Sequence, residues 1–414
     1  MSDWASVTLA EVCSRPQYGA IAKGTTQPVG PRFVRQTDIV SGRIDWTSVP
    51  FCDLDESDFD RYAIETGDLL ISRLGAGVGA AAIVHGAHEA VFAGYLVRFQ
   101  ADQSRAVPEF LGYQLRSLGW RNHVNGFRSG AAQPTLNAQQ MAAFRFDLPS
   151  IEEQRGIAAA LAALDDKIES NDRAISLQEQ LGSALLASRL QIGPSGALVA
   201  DKRLLSAFIK TLETGSRPRG GLKEGTVGTV SLGAQHVQSA GVCKTAELKQ
   251  IPTDFVDSMR RGRLEDGDVL VYKDGGKPGN FIPHVSAFGY GFPVDTAVIN
   301  EHVYRVRATR YISQALLYWA LRSPWLDEEM RKRGTGVAIP GLNSSNFREL
   351  PFPALEEDSR VFLNDMLSPM FEKILRLGAE NVRLGAQREA LLPALLSGRI
   401  RVPEAVYSIE GVLA

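Results

Sequence analysis

The sequence predicts an α+β chain built twice, in which two duplicated globular domains are separated by two long helices packed as an antiparallel coiled coil. Three observations carry that prediction. At 414 residues the chain is too long for one ordinary hydrophobic core. A set of short motifs recurs in the same order at a separation of about 200 residues, beginning at Gly67 and again at Gly267. Two segments of roughly forty residues carry apolar residues at steps of three and four.

The repeat sets the order of the elements. "GDLLISRLGAGVGAAAIV" from Gly67 is echoed by "GDVLVYKDGGKPGNFIPHV" from Gly267. Each reads as Gly-Asp, an apolar β-run, a basic residue (Arg73, Lys273), a glycine-rich turn and a second β-run. "VFAGYLVRF" (91–99) matches "VINEHVYRV" (298–306), and "RSGAAQPTLN" (128–137) matches "KRGTGVAIPGLN" (332–343). "FDLP" ending at Pro149 answers "RELP" ending at Pro351. A period this long means duplication of a whole domain with its linker, not a solenoid. Within each half, β-rich stretches such as "RFVRQTDIV" and "TVSLGAQHV" precede helical ones such as "PEFLGYQLRSLGWRNHV" and "ISQALLYWALRSPWLDEEM".

Each half then runs into a helix. From Ile151 the apolar stripe takes in Ile157, Leu161, Leu164, Ile168, Ile175 and Leu185, with Asn171 and Gln178 on the same seam, until Gly193-Pro194. The second stripe takes in Met370, Ile374, Leu377, Leu384 and Leu391, with Asn381 and Arg388 among them, until Pro393. Polar residues on such a seam commonly set its register. Because each helix follows its own domain, the two are expected to pair antiparallel. The expected divisions are 1–150 and 194–354 for the domains, 151–193 and 355–402 for the helices, and 403–414 for a tail.

Composition is that of a globular protein, 44% apolar and 22% charged. The amino terminus has no basic segment followed by an apolar run, and no stretch reaches the roughly 18 apolar residues of a membrane span, so a cytoplasmic chain is expected. Cys13, Cys52 and Cys243 form no C-x-x-C pair, and no metal site is expected. Residues 201–354 hold 21 Lys and Arg against 16 Asp and Glu, a net +5 in a chain whose formal charge is −2. That excess is a weak hint of a polyanionic partner.

Gly75, Gly77 and Ala80 satisfy the loose form of a dinucleotide-binding fingerprint. Such a loop needs a helix after the glycines, so that its N-terminus faces the phosphate. Here "AAAIV" runs at once into His85-Gly86 and more β-rich sequence, and Pro278 stands where the second copy would begin its helix. The glycines read better as turn formers. Neither half carries a nucleophile elbow, H-E-x-x-H or Walker motif, and no N-P-P-[YF] segment of an amino-methyltransferase is present. Binding is favoured over chemistry.

"LPSIEEQR" (148–155) with the following "GIAAALAALDDKIESN" resembles the central spacer of type I restriction–modification specificity subunits. "LLPALLSGRIRV" (391–402) resembles their carboxy-terminal spacer, and the Gly67 block is similar to one in their target recognition domains. "EEDSRVF" departs from the usual Glu-Glu-Gln-[Arg/Lys]-x-Ile of the second spacer.

The resemblance implies a non-catalytic reader of double-stranded DNA. Each recognition domain would take one half of a split site, and the helices would set the spacing. Two methyltransferase (modification) subunits would dock along the helices, carrying S-adenosylmethionine, which this chain itself would not bind. A motor–nuclease restriction subunit would associate with that complex. Docking is expected at Glu152, Glu153, Gln154, Arg155, Ile157, Leu161 and Ile168.

Base edges are read by Arg, Lys, Asn, Gln, Ser and Thr, and glycines let backbone approach a groove. The candidates in the first domain are Gln36, Thr37, Arg73, Gly75, Gly77, Gly79, Arg128, Gln133 and Asn137. In the second they are Gln235, His236, Lys273, Gly275, Lys277, Arg333 and Asn343. Two other readings stay open: a coiled-coil scaffold that binds protein, and an enzyme that holds a nucleotide on Gly75–Gly79.

Overall fold

The computed structural model describes residues 4–402 except 41, 87–88, 128–134, 191–200, 220, 222–224, 239, 242–247, 278–279, 290–291, 293, 295 and 337–339. The duplication seen in the sequence is a duplication of topology. One four-stranded antiparallel sheet runs Gln17–Tyr18, Leu96–Phe99, Leu69–Ser72, Ala81–Ile83. The other runs Ile209–Thr214, Val303–Ala308, Val269–Tyr272, His284–Ala287, in the same order. A parallel pair accompanies each sheet: Arg32–Val34 with Ala90–Phe92, and Thr229–Leu232 with Ala297–Ile299. An antiparallel pair joins the start and end of each half: Ala5–Thr8 with Arg145–Leu148, and Lys202–Leu204 with Pro351–Pro353.

The central strand is an unbroken apolar run because both of its faces are buried. In the first sheet Leu69 and Ile71 point to the larger core and Leu70 to a smaller one. Val269, Val271 and Leu270 divide in the same way. The Gly-Asp pair ahead of each strand is structural. Gly67 and Gly267 take left-handed backbone at φ 94° and 81°. Asp68 and Asp268 turn back to accept the N–H of Glu65 and Glu265 at 2.9 and 2.8 Å. Each buried carboxylate also holds an arginine from the neighbouring strand, Arg98 for Asp68 and Arg307 for Asp268. Such pairing is what makes a buried charge tolerable.

The glycine loop at 73–80 joins two antiparallel strands, with Ser72 and Ala80 bonded across it at 2.8 Å, and no helix follows. There is no helix N-terminus here for a phosphate, which removes the geometric basis of the nucleotide reading.

The long helices are Ile151–Arg189 and Glu357–Leu396, 39 and 40 residues. Two compact units result: Met1–Asp165 together with the chain from Gln387 onward, and Asp166–Ala386. Each helix contributes to both. In the first unit Glu153 pairs with Arg401 and Asp165 with Arg388. In the second, Asn171 donates to Asn381 at 2.9 Å, and the Arg189 guanidinium lies 4.2 Å from the Phe362 ring centre. One number rises as the other falls, so the pairing is antiparallel in each unit.

The helices are part of the cores. Ile157, Leu161, Leu392 and Leu395 pack with Phe110, Leu111 and Trp120. Ile175, Leu186, Leu363 and Leu367 pack with Leu316 and Trp319. Two glycines permit this closeness. A Cβ at Gly182 would stand 2.2 Å from Cε2 of Trp319, and one at Gly378 would stand 1.9 Å from the Gly241 carbonyl oxygen.

Candidate nucleic-acid interface

The same segments meet at the end of the central strand in both units. Arg73 donates its N–H to the Tyr95 carbonyl at 3.0 Å and accepts the Leu136 N–H at 2.9 Å. Lys273 repeats the pattern, donating to His302 at 3.1 Å and accepting from Leu342 at 2.6 Å. Both basic side chains lie over an aromatic ring, Arg73 at 4.9 Å from Tyr18 and Lys273 at 5.8 Å from Tyr304. Burial, and then Asp274, push the Tyr304 hydroxyl up to about 12. It therefore stays protonated at neutral pH and donates to the Leu342 carbonyl at 2.9 Å.

A short 3-10 turn adds the next residues, Gln36–Asp38 in the first unit and Ala234–His236 in the second. Gln36 is half-buried and accepts the Ser72 hydroxyl at 3.2 Å. Thr37 and Gln235, the middle residue of each turn, are exposed. The third residue closes the turn. Asp38 accepts the Arg35 N–H at 2.8 Å, and His236 Nδ1 accepts the Gly233 N–H at 2.9 Å. His236 is therefore not a reading residue: it is buried and occupies the structural place of Asp38.

Other candidates are corrected on similar grounds. Gly79 faces its own domain, its carbonyl accepting the Trp120 indole N–H at 2.7 Å, and a Cβ there would lie 2.8 Å from Cγ2 of Val124. Gly275 is buried, and a Cβ would meet the Tyr272 hydroxyl at 1.8 Å. Arg333 closes the Pro324–Arg333 helix, half-buried and paired with Glu329. Asn137 and Asn343 are not corrected: each caps a short helix, its side chain accepting the N–H of Gln140 or Asn346 at 2.8 Å, and each remains exposed.

Gly75, at φ 69°, and the exposed Gly77 shape the outer part of the loop. Lys277 pairs through its backbone with Asn280, and its side chain lies outside the described residues. Arg128 and Gln133 also lie outside the described residues. Gln36, Thr37, Arg73, Gly77, Asn137, Gln235, Lys273 and Asn343 remain exposed or half-buried.

The second unit adds residues that sequence reasoning missed. Lys273 pairs with Asp274 at 3.0 Å, Asp274 with His302 at 2.8 Å, His302 with Glu301 at 3.5 Å, and Glu301 with Arg217 at 2.6 Å. In the first unit the matching positions are Leu74, Gly94 and Tyr95, and Tyr95 is exposed. The signal was available: the matched strings at 91–99 and 298–306 place Tyr95 against His302.

The expected docking residues separate into two groups. Gln154 is fully buried. Its side-chain oxygen accepts the Val107 N–H at 2.8 Å, and its amide donates to the carbonyls of Arg105 and Pro149 at 3.1 and 2.9 Å. Ile157 and Leu161 are also buried in the first core. These three hold the helix on its own domain and are withdrawn from the docking surface. Glu152 and Arg155 are exposed, whereas Glu153 and Ile168 are half-buried. Among the described residues no cluster could hold a metal ion, and no helix is long and apolar enough to cross a membrane.

Residues 1–178 match the model of the type I restriction modification DNA specificity domain. That match covers the first 178 of the 414 residues. The chain is 22% identical over 328 residues to the type I restriction enzyme MjaIX specificity subunit of Methanocaldococcus jannaschii, covering 72% of this chain and 70% of that one. It is 26% identical over 180 residues to a chain assigned as the MjaX specificity subunit of the same organism. That match spans 42% of each, less than half the relative's length. The fold is that of a type I restriction–modification S subunit from M. genitalium, with a TM-score of 0.57 at 13% identity over 95% of this chain and 96% of the other. The fold thus agrees with the repeat found in the sequence.

Proposed function

We propose that this chain is the DNA-reading subunit of a type I restriction–modification complex, each unit reading one half of a bipartite site. The observation that carries the reading is the duplicated end of the central strand. In both units a basic residue over an aromatic ring, an exposed turn residue and a capping asparagine are assembled by the same backbone hydrogen bonds. Arg, Lys, Gln, Thr and Asn are the side chains that read base edges and phosphates. The different side chains on one framework fit two unlike half-sites.

On this reading the chain performs no chemistry. Two modification subunits supply S-adenosylmethionine and methyl transfer, docking along the exposed faces of the long helices. A restriction subunit adds cleavage where present. The helices act as a spacer between the half-sites.

The test lengthens both helices by four residues, after Asn171 in one and after Glu380 in the other. The added rise is about 6 Å at 1.5 Å per residue. Four residues turn a helix by about 400°, so the apolar stripe returns to within roughly 40° of its direction. At about 3.4 Å per base pair, methylation mapped in cells should show the same half-sites one or two base pairs farther apart. Methylation that keeps the original gap, from a folded and assembled variant, refutes the spacer reading.

A further inference from the structure

The first unit contains a cavity of about 480 Å³ walled by Gly79, by the helix Leu118–Gly126 and by the last turns of the second long helix. Its charged lining is Arg116, Arg121 and Arg388 against Glu389. Beneath it, Asp165 accepts from Arg388 at 2.7 Å, Arg116 at 2.8 Å and the Tyr113 hydroxyl at 3.0 Å. Arg388 also donates to Glu389 at 3.1 Å, so two carboxylates stand against the three arginines. Arg388 Nε is buried and has no hydrogen-bond partner. Arg121 is exposed and makes no ion pair among the described residues, and the exposed Asn125 lies one helical turn further on.

The two units differ at the described residues around the matching turn. Gly42 and Gly241 occupy matching left-handed turns, at φ 86° and 76°. In the second unit the turn at Gly241 is closed against Gly378 of the long helix. In the first, Gly42 packs on the side chain of Arg116, where a Cβ would stand 2.7 Å from its Cδ, and the space beyond stays open. The charge differs as well. Asp327 takes the place of Arg121 in the second unit and pairs with Arg331 at 2.6 Å. Among the described residues, the first unit thus carries an unpaired arginine on its cavity where the second carries a neutralised pair.

We infer that this cavity binds a phosphate group through Arg121 and Asn125, with Arg116 and Arg388 adding positive charge beside them. A guanidinium fork matches phosphate geometry, and the excess of donors over acceptors selects an anion. The phosphate comes either from the backbone of bound DNA or from a free phosphate compound. The DNA source rests on the proposed function; the cavity's affinity for phosphate does not.

The experiment uses the full chain and Arg121→Ala, with Arg121→Lys as the variant that keeps the charge. Arg121 is exposed, so equal melting temperatures are expected for all three. Inorganic phosphate is titrated calorimetrically, and binding to a random-sequence duplex is followed by anisotropy from low to high salt. If DNA supplies the phosphate, Arg121→Ala lowers the slope of log K against log salt by about 0.9, and Arg121→Lys keeps the wild-type slope. If a free compound supplies it, inorganic phosphate binds the wild type and not Arg121→Ala, with the DNA slope unchanged. Unchanged slopes together with no phosphate binding to the wild type overturn the inference. Wild-type protein that binds phosphate but no DNA would support the cavity and count against the proposed function instead.

Discussion

Replacing Asp165 by alanine tests whether one carboxylate ties the first domain to both long helices. Its side chain is 8% exposed and accepts from Tyr113, Arg116 and Arg388. Removing one member of a buried ion pair costs about 3–5 kcal/mol, chiefly by leaving its partner charge uncompensated. The two arginines are each 19% exposed and border an open cavity, so water recovers part of that cost. The expected loss is therefore about 2–3 kcal/mol. A double-mutant cycle with Arg388→Ala should give a coupling of roughly 1–2 kcal/mol.

The same loss should depend on pH. Burial pushes the Asp165 carboxyl up, but the hydrogen bonds and charges of Arg116 and Arg388 outweigh it and hold the group below its ordinary value. A depressed folded-state pKa gives stability that is fully present above the unfolded value, near ~4, and is lost as pH falls through the folded one. The difference between wild type and variant should be flat from about pH 8 to 5 and shrink in more acid solution. Urea unfolding, read by pulsed hydrogen exchange on peptides covering 108–126, reports this unit alone. A loss under about 0.5 kcal/mol at pH 7, or one that persists unchanged in acid, would show that the carboxylate contributes no such tie.

Further outcomes follow from individual contacts. Gln154→Leu leaves one N–H and two carbonyls buried without partners and should cost about 2–4 kcal/mol in the same assay, whereas the exposed Glu152→Ala should stay within about 0.5 kcal/mol. If both changes weaken only assembly with the modification subunit, Gln154 belongs to the docking surface after all. Gln235→Ala should relax one half-site by about 1–3 kcal/mol, and Thr37→Ala the other. Methylome sequencing checks both, and equal relaxation of the two half-sites by either variant contradicts independent reading.

Duplication and the helices were legible in the sequence because both are local properties of the chain. A period of three to four fixes a helical face whatever it packs against, as the stripe from Ile157 to Leu185 shows. Asn137 and Asn343 stand three residues before Gln140 and Asn346, and that spacing alone allows their capping bonds. The role of Gln154 was beyond local reading, since its partners Val107 and Arg105 lie nearly fifty residues away. Asp165 meets Arg388 across 223 residues. His236 reads from the sequence as a surface base reader, but the fold buries it in the second unit at the place that Asp38 holds in the first, where its Nδ1 accepts the Gly233 N–H. A polar side chain carries the same chemistry whether it faces a groove or a buried N–H, and only the backbone that the fold brings to it decides which.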